Sequence, residues 1–160
     1  MKKCYIETSI VSYLTAKPSD NLIAAARQNE TICWWDTRRS YFEICVSGVV
    51  LEEASRGDPS AATRRMNALK GIPVLPLDQN AADLAESLIK EGGMPQKAMD
   101  DALHIAIAAT NQVHFLLTWN CRHIDNAEMK PKIRGIIESA GFSSPEIATP
   151  SELMGVENYG

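Results

Sequence analysis

Short apolar runs of three to five residues alternate along the chain with longer stretches whose apolar positions recur at helical spacing. Lys3–Ile6 predicts a first strand that ends at the polar Glu7, Thr8 and Ser9, and residues 10–14 predict a helical turn. Pro18, Ser19, Asp20 and Asn21 are loop chemistry able to cap the helix that follows. From Leu22 to about Arg39 the apolar Leu22, Ile23, Ala26, Trp34 and Trp35 fall near a 3.6-residue period, and the tryptophans are expected to be helix-packing anchors. Residues 42–47 form a second strand pattern. Ser47 is placed to cap a short helix through Ser55, closed by Gly57, Asp58 and Pro59. A helix over 60–69, a short strand over 74–77 between prolines, and an amphipathic helix over 80–91 with Leu84, Leu88 and Ile89 inward come next. The chain then predicts a helix from about Lys97 to Asn111 and a strand over 115–118. A helix over 129–139, a last strand over 146–149 and a short piece at 151–154 complete the pattern.

Strands alternating with helices imply βαβ units, so the fold class expected is α/β: a three-layer α/β/α sandwich around a mostly parallel central sheet. Ligands of such sheets bind beyond the carboxyl ends of strands, which directs attention to Glu7 and Asn120. At 160 residues the whole chain, 1–160, suits one domain able to bury a core. No apolar run approaches the roughly 18 residues of a membrane span, and MKKCYIETS lacks the apolar centre of a secretory signal, so a cytoplasmic location is expected.

The four cysteines, Cys4, Cys33, Cys45 and Cys121, are far apart and form no CxxC pair, which disfavours a disulfide framework or a zinc site. Cys4 and Cys45 lie in strand-like runs, where free cysteine behaves as a small hydrophobe. A net charge of −4 argues against binding nucleic acid through the overall field. Arg38–Arg39, Arg64–Arg65 and the Lys130, Lys132, Arg134 group are candidate basic patches, each also explained as a solvated helix face.

The stretch 99–125, MDDALHIAIAATNQVHFLLTWNCRHID, carries the strongest chemical signal. Asp100 and Asp101 open an alanine-rich helical run, and the strand after it exits at Trp119 and Asn120. Glu7 and Glu53 can converge on the same sheet edge. Carboxylates gathered without balancing cations suit a hard divalent ion, Mg²⁺ or Mn²⁺. Such an ion can polarise a phosphoryl oxygen and lower the pKa of water. Each acid also has a structural explanation: Asp100 and Asp101 favour a helix N-terminus, Glu52 and Glu53 fit an exposed helix face, and Glu7 can simply begin a loop. His104, with Asp100 one turn earlier as a hydrogen-bond partner, is expected to be structural. His123 is a candidate for phosphate contact or proton transfer that is also explained as a packed or surface histidine, and Arg56 and Arg122 are phosphate-contact candidates.

YIETS, VSGVVLEE, DDALHIAIA and FLLTWNCRHI, in that order, resemble the PIN domain, specifically the VapC-type ribonuclease toxins. The resemblance covers nearly the whole chain. It implies an α/β/α sandwich that holds Mg²⁺ or Mn²⁺ on clustered acids for RNA phosphodiester hydrolysis. By position it implies Glu7, Glu53, Asp101 and Asn120 as catalytic residues, with Glu7, Glu53 and Asp101 holding the metal, and Thr8 and Ser9 beside the first acid. Two departures stand out: Glu7 occupies a position where the family usually has Asp, and Asn120 is neutral where a carboxylate is frequent. The resemblance further implies a metal-dependent endoribonuclease acting as the toxin of a type II toxin–antitoxin pair, with RNA as substrate, a small antitoxin as partner and a homodimeric assembly. Residues 22–41 are the candidate partner surface. The alternative is a catalytically weakened PIN-fold module for protein interaction or RNA binding. A phosphotransferase with an acidic nucleophile after the first strand is disfavoured, since it would want Asp at position 7 and a lysine nearby.

Overall fold

In the computed structural model, residues 1–156 are described. The elements run β1 (Lys3–Ile6), α1 (Thr8–Thr15), α2 (Leu22–Thr37), β2 (Glu43–Ser47), α3 (Gly48–Ala54), α4 (Pro59–Leu69) and β3 (Val74–Leu75). They continue with α5 (Gln79–Lys90), α6 (Met99–Thr110), β4 (Phe115–Leu117), α7 (Lys130–Ser139) and β5 (Glu146–Ala148). The strands form one sheet, ordered β3-β2-β1-β4-β5, and every pairing is parallel. The α/β sandwich expected from the sequence is present, with a sheet that is parallel throughout.

This order has a mechanical consequence. The chain steps outward from β1 through β2 to β3, then returns to place β4 on the other side of β1. The β1/β4 boundary is therefore the point where strand order reverses, and loops leaving the two strands diverge there to open a crevice. Glu7 follows β1 directly and is tied across the boundary by its backbone N–H to the Leu117 carbonyl (3.1 Å). Thr118, Trp119 and Asn120 leave β4 at the same edge.

Local chemistry explains the element ends. Ser47 accepts from the Val50 N–H as the N-cap of α3, Asn21 caps α2, Asp58 caps α4 ahead of Pro59, and Asp78 caps α5. Without a side-chain cap, α6 carries Asp100 and Asp101 in its first turn, where acids oppose the exposed N–H groups. The strand expected over 74–77 keeps only Val74 and Leu75, because Pro73 and Pro76 bracket it and cannot donate to a ladder. Gly92 follows α5 where a Cβ would stand 2.3 Å from the Leu88 carbonyl oxygen, so no larger residue fits without a backbone shift.

The core is continuous from Tyr5 and Ile6 in the sheet to Ile105, Ile107, Leu116 and Ile137. Trp34 is fully buried, stacks on Phe42 (5.9 Å, 22°) and donates from Nε1 to the Leu153 carbonyl. Trp35 is half-buried under the Arg39 guanidinium. Both tryptophans are packing anchors, as the periodicity implies. Leu22 and Ile23 depart from it: they are 86% and 67% exposed, and the residues of α2 that are buried, Gln28, Thr31 and Trp34, lie in its later turns. Cys4 and Cys45 are buried in the sheet, and Cys33 and Cys121 are exposed. No helix among the described residues is long and apolar enough to cross a membrane.

Candidate metal centre

Glu7 acts first as the N-cap of α1, its carboxylate accepting from the Ser9 N–H (3.1 Å). The Ser9 and Thr118 hydroxyls both donate to its Oε1, the latter at 2.6 Å. The carboxylate is thus fixed by its own helix start and by the neighbouring strand's exit.

Glu53 comes from the last turn of α3, a helix that packs against both α1 and α6 and so brings the residue over the crevice. Its Oε1 accepts from the Thr8 hydroxyl (2.6 Å) and lies 2.6 Å from His104 Nε2. Burial pushes the Glu53 carboxyl up, but the hydrogen bond and charge of His104, with Thr8 and Arg56, outweigh it and hold the pKa below the usual glutamate value. Burial pushes His104 down; the hydrogen bond to Glu53 and the charges of Glu7, Glu53 and Asp101 outweigh it and raise the imidazole above its usual value. Both shifts arise from the one Glu53–His104 contact.

His104 does not bond Asp100, as helical spacing suggested. It is fully buried, and its Nδ1 meets the Tyr5 hydroxyl at 2.7 Å. The charge of Asp100 is instead felt by the Arg56 guanidinium. Asp101, one residue on, meets His123 Nδ1 through Oδ2 at 3.0 Å. Arg56 is exposed and paired with Glu52 at 2.5 Å.

Ligand atoms of Glu7, Glu53 and His104 all lie within 4.8 Å of one another, the group among the described residues able to grip an ion. Two of these were expected from the sequence; His104 was not. The available signal was a histidine on the buried face of an alanine-rich helix, since a buried ring must find partners for both nitrogens. Asp101 borders this group without belonging to it. A donor set of two carboxylates with Asp101 at hand fits a hard divalent ion.

Asn120 occupies the expected strand exit, but its Oδ1 accepts from the N–H groups of Arg122 (3.2 Å) and His123 (3.1 Å). It caps the turn after β4 and holds His123 toward Asp101. Trp119 anchors the same turn: its N–H donates to Ser9 Oγ (2.8 Å), its Nε1–H to Thr31 (2.8 Å), and Arg27 lies over its ring at 5.3 Å. A cavity of about 670 Å³ lined by Lys2, His114, Phe142 and Glu146 lies at the strand starts, the opposite end of the sheet, and takes no part in this cluster.

The family model described as PIN domain matches residues 4–128, a span that holds every residue of this cluster. No curated protein matches the chain.

Proposed function

The chain belongs to the PIN domain family, whose members are generally metal-dependent nucleases, and we propose that its acid crevice is the phosphodiester-cleaving centre of an endoribonuclease. The observation that carries this reading is the convergence of Glu7 and Glu53 within 4.8 Å at the β1/β4 switch point, with Asp101 beside them. Glu7, Glu53 and Asp101 would hold Mg²⁺ or Mn²⁺. Such an ion, when bound, polarises the scissile phosphate and lowers the pKa of water.

The chain's own residues do the rest by positioning. Ser9 and Thr118 clamp Glu7, Thr8 and His104 clamp Glu53, and His123 orients Asp101. A carboxylate held by two donors loses rotamer freedom before an ion arrives, which favours binding. The order of the motifs and the exposed Leu22 and Ile23 support a role as the toxin of a type II toxin–antitoxin pair. In that role the start of α2 would meet a small antitoxin or a second copy of the chain, in the cytoplasm.

A second reading is favoured by one observation. Asn120 spends its side-chain oxygen on two backbone N–H groups, so the fourth corner is a turn cap rather than an anion. This supports a weakened PIN-fold module that binds RNA or protein without efficient turnover.

Incubating the pure protein with structured RNAs and Mn²⁺ separates the two. The nuclease reading expects cleavage that is lost in Glu53→Gln and Asp101→Asn and suppressed by EDTA. RNA retained intact by wild type at millimolar Mn²⁺, or cut equally by the variants, overturns it.

A further inference from the structure

Beneath the crevice runs a file of polar groups in an otherwise apolar core. Ser47 Oγ lies 2.6 Å from the Tyr5 hydroxyl, which lies 2.7 Å from His104 Nδ1, while His104 Nε2 lies 2.6 Å from Glu53 Oε1. Ser47, Tyr5 and His104 are each fully buried. Three side chains from β1, the end of β2 and α6 are thus threaded into one path that surfaces only at Glu53. Stability alone does not call for it, because apolar groups of matching shape replace a buried hydrogen-bonded pair at little cost.

The donor count gives the path a direction. In the neutral ring, with Nε2–H donating to Glu53, Nδ1 accepts from the Tyr5 hydroxyl, and the Tyr5 oxygen accepts from Ser47, whose own oxygen takes the Val50 N–H at 3.4 Å. Every group is then satisfied and the neutral ring is held in one tautomer. At the far end, Thr8 and His104 both address Oε1 of Glu53. Among the described residues no hydrogen bond is formed by Oε2.

We propose that Ser47, Tyr5 and His104 are positioning residues that desymmetrise the Glu53 carboxylate, saturating Oε1 and presenting Oε2 alone to the divalent ion. His104 then acts through Glu53 and is not itself a ligand, although its Nε2 lies within reach of the ion-binding group. Both its nitrogens are engaged, and the ring is fully buried. Partners of this kind, which hold a ligand in place from behind, typically carry a 10–100-fold effect on metal affinity. The inference rests on the reading of Glu53 as a metal ligand.

The test is Mn²⁺ binding to RNA-free protein, followed by the electron paramagnetic resonance of free Mn²⁺, for wild type, Tyr5→Phe, His104→Gln and the double variant. Thermal unfolding of each is recorded alongside. Tyr5→Phe keeps the ring in the core and removes only the link, so it remains informative should His104→Gln fold poorly. The expected result is a several-fold loss of affinity in Tyr5→Phe and a loss of roughly 10–100-fold in His104→Gln. The double variant binds no more weakly than His104→Gln alone, because Tyr5 acts through the ring. Comparison of Mn²⁺ with Zn²⁺ and Ni²⁺ reads a ligand role: an imidazole in the coordination shell would favour the latter two, and His104→Gln would erase that preference. Such a change in metal ranking overturns the proposal, as does unchanged Mn²⁺ affinity in folded variants with a lowered melting temperature. Wild-type protein that binds no Mn²⁺ overturns the nuclease reading and this inference with it.

Discussion

Thr118 and Glu7 stand 111 residues apart in the chain, yet the Thr118 hydroxyl donates to Glu7 Oε1 at 2.6 Å across the β1/β4 boundary. Thr118 Oγ1 also accepts from the Asn120 N–H at 2.9 Å, so one side chain orders an acid on one strand and the turn after the other. Thr118→Val keeps the shape and removes both contacts. It is expected to cost about 1–3 kcal/mol in urea unfolding and to weaken Mn²⁺ binding, while Thr118→Ser retains both properties. Equal behaviour of the Val and Ser variants would show that the hydroxyl is not what holds Glu7.

Asn120 separates a capping role from an electrostatic one. Asn120→Ala removes the acceptor for two backbone N–H groups and is expected to cost about 1 kcal/mol. Asn120→Asp keeps an acceptor and adds a negative charge at the crevice, so the fold is retained and Mn²⁺ binds more tightly. Titration calorimetry of the two variants checks this, and an Asp variant with wild-type affinity would place the position outside the ion's reach.

Without metal, the Glu53–His104 pair makes stability depend on pH in both directions. Glu53 sits below its ordinary value of about 4.3, so its contribution is present above that pH and is lost as pH falls through the depressed folded value. His104 sits above its ordinary value of about 6.5, so its contribution is complete below that pH and is lost as pH rises through the raised folded value. In EDTA the pair therefore contributes fully between about 4.3 and 6.5. Urea unfolding across pH should show His104→Gln flattening the alkaline limb, and parallel limbs for wild type and variant would contradict the assignment.

Trp34 joins α2 to the turn at Pro150–Leu153 through its Nε1–H and to the sheet through Phe42. Trp34→Ala is expected to cost about 3–5 kcal/mol. Trp34→Phe, which loses the hydrogen bond but keeps most of the volume, should cost clearly less. Denaturant midpoints at constant slope measure both.

Much of this protein is determined by its sequence alone, because burial periodicity and capping are local. Lys3–Ile6 reads as a strand from its own residues, Ser47 as a cap from the helix it precedes, and Glu7, Glu53 and Asp101 as acids at the ends of elements that a parallel sheet gathers at one edge. Tertiary structure decided what depends on partners distant in the chain. His104 is 51 residues from Glu53 and 99 from Tyr5, so its spacing in a helix pointed to Asp100 while packing delivered other partners. Asn120 matched a motif position, but only the turn after β4 shows its oxygen committed to backbone N–H groups. Leu22 and Ile23 carried the apolar period past the point where α2 meets the core, since a helical period records which residues share a face and not where a neighbour ends. Local pattern thus placed the acids at the crevice, and the order of strands in the sheet chose the groups that hold them there.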